Sequence, residues 1–287
     1  MKSLIDTHHH LWDTSKTHYP WMTDELDAIR RRFDTNDQTA VTGPAGVGGT
    51  ILVQTISSFE ESKEFLATAE DTDLILGVVA WVDMRSSDVS DRIAELKAGK
   101  GGNYLIGIRH QVHDEPDENW LLRDDVQNGL AAIRDHDLVY DLLLRPRELP
   151  AAIKAVQKIP DMHWVLDHIA KPEIAATGWE PWATLMRDLA ATSPTCWVKL
   201  SGMVTEANWE TWSQDDLKPY AAHAIETFGA DRCMIGSDWP VCLLASPYQR
   251  VIDTARALIA DLPEHQQRGI MVDNAVHAYR LNNHAGH

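Results

Sequence analysis

Eight short apolar, β-branched runs recur along this chain, and most are followed by a stretch with helical periodicity. They are SLIDTH (3–8), GGTILVQT (48–55), LILGVVAWVD (74–83), YLIGIRHQV (104–112), LVYDLLL (138–144), HWVLDH (163–168), CWVKLSG (196–202) and RCMIGSDW (232–239). Strands this apolar are buried on both faces, as in a parallel sheet. Amphipathic stretches lie between them at Phe59–Glu70, Asp88–Ala98, Asp124–Asp135, Trp179–Thr192, Asp215–Phe228 and Tyr248–Ala260, with Asp88, Asp124 and Asp215 as candidate N-caps. Eight strands alternating with helices predict an α/β fold closed into a (β/α)8 TIM barrel. A doubly wound open sheet is the alternative, but GPAGVGG (43–49) precedes a strand and reads as a loop, not as a phosphate-binding turn.

No linker or low-complexity stretch divides residues 1–287, so one barrel domain is expected. A terminal helix closing on the barrel should begin after residue 263, and NNHAGH reads as a frayed tail. The 26 Lys and Arg against 43 Asp and Glu give a net charge of −17. Such a surface repels phosphate backbones and anionic leaflets, which excludes nucleic acid and membrane as expected partners. The N-terminus lacks an apolar signal region, and the three cysteines, Cys196, Cys233 and Cys242, lack CxxC spacing; both point to the cytoplasm.

Catalytic groups of a barrel gather at the C-terminal ends of its strands. The first strand ends Asp6-Thr7-His8-His9-His10, where a period of two puts His8 and His10 on one side and His9 on the other. The eighth ends Gly236-Ser237-Asp238-Trp239-Pro240. Barrel closure makes these two strands neighbours, bringing one carboxylate beside two imidazoles. That set suits zinc ligation, and it equally suits a carboxylate acting as general base on water. The sixth strand ends Asp167-His168, which should point oppositely so that one of them enters the mouth; His168 is either a functional donor or a structural histidine.

The segments IDTHHHLWD, GIRHQVHDEPD, VLDHIAKP, VKLSGMVTEANW and IGSDWPVC resemble signatures of the sugar-lactonase branch of the amidohydrolase superfamily, the L-fucono-1,5-lactonases and L-rhamnono-lactonases. The resemblance spans nearly the whole chain and implies a metal-dependent-hydrolase-like barrel that opens a small-molecule sugar lactone. Carried over position by position, it makes His8 and His10 the HxH pair, His168 the strand-6 histidine and Asp238 the strand-8 aspartate. Asp238 would then take a proton from water and return it to the departing ring oxygen, with His168 as the second catalytic candidate.

The chain departs from the binuclear pattern, having VYDLLLRP on strand 5 without a histidine and Arg109-His110 where a bridging lysine would stand. Two versions stay open: one zinc on His8, His10 and Asp238, or a metal-free reaction in which Arg109 and His110 polarise the carbonyl. Salt bridges to Asp114, Glu115 or Asp117 are the competing role for that pair. Lys171 is a substrate-binding candidate, with Lys199 and Gln54 weaker. Trp12, Trp81 and Trp239, at expected strand exits, could stack on a sugar ring, although most of the 11 tryptophans should serve packing. A 2-pyrone-4,6-dicarboxylate hydrolase is the enzymatic alternative, disfavoured because two substrate carboxylates call for several arginines. A decarboxylase is weaker still, and a non-catalytic sugar-acid-binding barrel is the alternative of another class.

Overall fold

A computed structural model describes residues 4–281, so the NNHAGH tail lies outside the described residues. All eight runs form strands: β1 Leu4–His9, β2 Val47–Val53, β3 Ile75–Ala80, β4 Leu105–His110, β5 Val139–Leu142, β6 Trp164–Leu166, β7 Cys196–Leu200 and β8 Cys233–Ile235. They pair in parallel, each with the next in sequence. Short contacts close the ring between β8 and β1: Asp238 N donates to His8 O at 2.8 Å, His10 N to Trp239 O at 2.7 Å, and the Thr7 hydroxyl to Ile235 O at 2.8 Å. Gly236 permits this approach, because a Cβ there would stand 2.7 Å from the Cβ of His8. The result is a TIM barrel.

Period two divides the residues of each strand between two cores. Outward residues such as Leu52, Ile108, Tyr140 and Val198 pack under the helices. Inward residues Ile5, Ile51, Val53, Val79, Val139, Val165, Trp197 and Met234 fill the barrel, and Ala275, Ala278 and Tyr279 plug its foot. Two positions beyond that apolar layer the inward residues of four strands change character to Arg109, Asp141, Asp167 and Lys199, all buried. The last segment is helical in three runs, Glu264–Arg268, a π-turn Gly269–Asp273, and Asn274–Ala278.

Helices occur at Phe59–Glu70 and Asp124–Asp135 as the periodicity predicts, and at Val89–Ala98, Trp182–Thr192, Gln214–Phe228 and Tyr248–Leu258 with shifted ends. The caps need correction. Asp124 is already helical behind Arg123, and Ser213, paired reciprocally with Asp216, caps the helix assigned to Asp215. Asp88 occupies the N-cap position without a capping hydrogen bond, its carboxylate being engaged by Ser86 and Arg92.

Candidate active site

His8 and His10 converge as the alternation requires, their Nε2 atoms 3.2 Å apart, while His9 faces outward to the Gln38 side chain at 2.8 Å. Asp238 stands over them, with Oδ1 3.3 Å from His10 Nε2 and 3.8 Å from His8 Nε2. Its backbone has φ +59°, in the left-handed region that costs a non-glycine residue about 1–2 kcal/mol. The segment is held by Asp6, whose carboxylate accepts from Ser237 N at 2.8 Å, the Ser237 hydroxyl at 2.6 Å and the Tyr248 hydroxyl at 3.0 Å. Asp6 therefore helps aim Asp238 across the barrel seam.

The strand-6 exit departs from expectation. β6 stops at Leu166, and His168, Ile169, Ala170 and Lys171 all have φ between +47° and +59°, so alternation ends and both Asp167 and His168 turn inward. His168 Nδ1 lies 2.9 Å from the Ser201 hydroxyl and its Nε2 3.9 Å from Asp238 Oδ1. Gly202, at φ +66°, leaves room for that ring; a Cβ there would meet its Cγ at 2.7 Å. Asp167 instead faces Arg109 Nη1 at 3.0 Å and Lys199 Nζ at 2.9 Å.

Arg109 also donates to Gln54 Oε1 at 2.7 Å and to the Nε2 of His8 at 3.1 Å. His8 Nδ1 lies between Asp167 Oδ1 at 3.3 Å and Lys199 Nζ at 3.2 Å; in the tautomer that carries its proton on Nδ1, toward Asp167, Nε2 keeps its lone pair. His10 Nδ1 sits 2.8 Å from Val53 O, an acceptor, so its Nε2 also carries a lone pair. Two imidazole lone pairs and a carboxylate oxygen thus meet at one place, which favours a cation between them. Donors around a tetrahedral zinc lie about 3.3 Å apart. The 3.2, 3.3 and 3.8 Å separations fit that arrangement, and His8, His10 and Asp238 could hold a divalent ion. Their outer partners, Val53 O and Asp167, are of the type that orients ligating histidines.

Burial raises a carboxyl pKa, but for Asp238 the opposing influence of His168 and of the adjacent His10 and His8 wins and holds it well below the usual range. Burial lowers His8 well below its ordinary value and His168 to about 4, so both are neutral at pH 7. Asp167 is pulled low against burial by Lys199, His8 and Arg109.

Other candidates lie apart from this cluster. His110 takes the competing role: its Nε2 meets Glu115 at 2.8 Å, its Nδ1 accepts from Trp81 Nε1 at 3.1 Å, and its ring stacks on Trp120. Lys171 pairs with Glu206 at 2.5 Å, near the mouth and partly exposed. Trp12 and Trp239 are 4% and 2% exposed and both pack edge-on against Phe33. Asp141, Ser201 and Tyr279 were not among the expected site residues, and Gln54 and Lys199 are more central than expected; for Asp141 and Lys199 a charge two positions after the inward Val139 and Trp197 is the available signal, and the others have none.

A parallel barrel with imidazoles and an ionised aspartate gathered at its C-terminal mouth defines a hydrolase-type TIM barrel. The amidohydrolase family model matches residues 5–281, and the chain belongs to that family. It is 36% identical over 251 residues to an L-fucono-1,5-lactonase of Burkholderia ambifaria, covering 86% of this chain and 84% of that one. Identity to the L-fucono-1,5-lactonase of Burkholderia multivorans is also 36%, over 258 residues, covering 86% and 85%. A crystal structure of a Burkholderia multivorans amidohydrolase with bound zinc superposes with a TM-score of 0.91 at 31% identity, covering 96% of this chain and 99% of that one.

Proposed function

We propose that this chain hydrolyses a sugar lactone such as L-fucono-1,5-lactone to the open sugar acid. The observation that carries the reading is the buried, ionised Asp238 facing His8, His10 and His168 at the barrel mouth. The named relatives narrow the cyclic ester to a sugar lactone. Asp238 accepts a proton from the attacking water, and after the tetrahedral intermediate collapses it returns that proton to the ring oxygen. His168, neutral and held by Ser201, donates a hydrogen bond to the developing oxyanion from the opposite side. His8, His10 and Asp238 would hold the metal, and a zinc ion bound there supplies Lewis acidity to the carbonyl and lowers the pKa of water.

Arg109 is committed to Gln54 and Asp167, which leaves it unavailable to pair with a second substrate carboxylate and supports a neutral sugar over a pyrone dicarboxylate. Residues 1–287 are read as one amidohydrolase-type domain acting on a small molecule in the cytoplasm; among the described residues no helix is long and apolar enough to cross a membrane. The test is the initial rate of acid release from a panel of L- and D-aldonolactones, followed with a pH indicator before and after chelation. Hydrolysis lost on chelation and restored by zinc supports ligation by His8, His10 and Asp238; hydrolysis that survives assigns carbonyl polarisation to protein donors. Absence of turnover on every lactone overturns the reading.

A further inference from the structure

We propose that Tyr279, at the foot of the barrel, is a positioning residue for the catalytic centre, acting through Asp141 and Lys199 on Asp167 and so on His8. The inference rests on the reading of the His8–His10–Asp238 cluster as that centre. Tyr279 follows the terminal helical segment that plugs the barrel, and its ring belongs to the inner apolar core. Its hydroxyl reaches out of that core to donate to Asp141 Oδ2 at 2.8 Å. The same oxygen accepts from Lys199 Nζ at 2.6 Å, and Lys199 is shared with Asp167 Oδ1 at 2.9 Å. That Asp167 oxygen is also 3.3 Å from His8 Nδ1, and Lys199 Nζ lies 3.2 Å from the same nitrogen. Consecutive polar contacts therefore join the barrel foot, through Lys199 directly and through Asp167, to a ring whose other nitrogen faces the site.

Stability is a poor explanation for this chain of groups. Barrel interiors are ordinarily filled in layers by Val, Ile and Leu, as the layer below is here. Desolvating two carboxylates, an ammonium and a guanidinium is expensive, and well-packed apolar residues often do as well or better. The arrangement has a positional consequence instead. Asp141 and Asp167 compete for one ammonium, and Asp141 Oδ1 has no hydrogen-bond partner among the described residues. By donating to Asp141, the Tyr279 hydroxyl offsets part of that carboxylate's pull and leaves Lys199 between the two. Without it, Lys199 moves toward Asp141, Asp167 is less restrained, and the contacts that Lys199 and Asp167 make with His8 Nδ1 change.

The test compares Tyr279→Phe, which removes the hydroxyl and keeps the ring, with Leu281→Ala, which weakens the same plug without touching Asp141. For Tyr279→Phe we expect kcat to fall about 3- to 10-fold with KM within twofold, a smaller loss than the roughly 10- to 100-fold seen when a group directly supporting a ligand is removed. Nitrogen-15 spectra of the imidazoles should show the His8 ring-nitrogen signals displaced in Tyr279→Phe and unmoved in Leu281→Ala, whose effect should be confined to Tm. Unchanged His8 signals in Tyr279→Phe, with Tm lowered as in Leu281→Ala, would overturn the proposal by reducing Tyr279 to a packing residue. The spectra report on the relay even if no lactone is hydrolysed, so failure of the functional reading and failure of this one are separable.

Discussion

The barrel interior is polar on two sides, and the sides differ in how their charges are met. Around β4 to β7, Arg109 and Lys199 are interleaved with Asp141 and Asp167, and each of these ion pairs is 3.0 Å or shorter. Along the β1–β8 seam, His8 Nε2, His10 Nε2 and Asp238 Oδ1 are electron-pair donors gathered without a proton of their own between them. Paired charges neutralise one another locally and make a compensated wall; the seam's lone pairs, of which Arg109 reaches the one on His8, make a place suited to a cation or a water proton. Arg109 touches both sides through His8, so the ion-paired half contacts the imidazole cluster directly.

The contrast breaks most visibly at Asp238. Asp238→Asn should lower kcat about 10³-fold or more while Tm stays within a few degrees, because the base is removed and the volume kept. A loss below tenfold would mean that the seam is not the reactive side. Arg109→Leu addresses the other half. It strips Asp167 and Gln54 of their shared donor, and removing one member of a buried ion pair costs about 3–5 kcal/mol, read as a lower urea midpoint. A stability loss under about 1 kcal/mol would show the wall to be less dependent on charge pairing than the distances suggest. Trp12→Phe, behind the seam, should cost about 1–2 kcal/mol through lost packing and the lost bond to Ile29 O, with KM unchanged. A several-fold rise in KM would return Trp12 to the substrate.

The same two halves explain what was legible in the sequence. Eight apolar runs separated by helical periodicity are a strong local signal, and all eight are strands. His8, His10 and Asp238 were legible because regular alternation and ring closure decide where they go. Asp167 was read as excluding His168, since nothing local announces four successive left-handed residues from His168 to Lys171. Trp12 and Trp239 were placed at open strand exits because the fold of the long first connection, which brings Phe33 against both, is a tertiary fact. The Asp141–Lys199–Tyr279 contacts join β5, β7 and the last described helical run; a terminal helix closing on the barrel is legible in the sequence, but no spacing records that Tyr279 on it reaches Asp141.

The smallest effect sharpens the boundary between the halves, at the rim. His113 lies on the loop after β4 with its ring mostly buried, Nε2 3.3 Å from Asp114 and Nδ1 without a hydrogen-bond partner among the described residues. Burial first, and then the cations Lys171, Arg145 and Arg109 with His168, together lower its pKa to about 3. A histidine whose folded pKa lies below its unfolded value near 6.5 binds fewer protons folded than unfolded between those values. Its stabilising contribution is therefore complete above pH 6.5 and lost as pH falls toward 3. His113→Leu removes the titrating group, so the wild-type advantage should shrink by up to about 1 kcal/mol per pH unit between pH 6 and 4 in urea titrations. Slopes from the other buried histidines are common to both proteins and cancel in the difference. A difference that stays flat would mean His113 is protonated in place at the rim, its charge met by Asp114, and the compensated wall would then extend to the mouth.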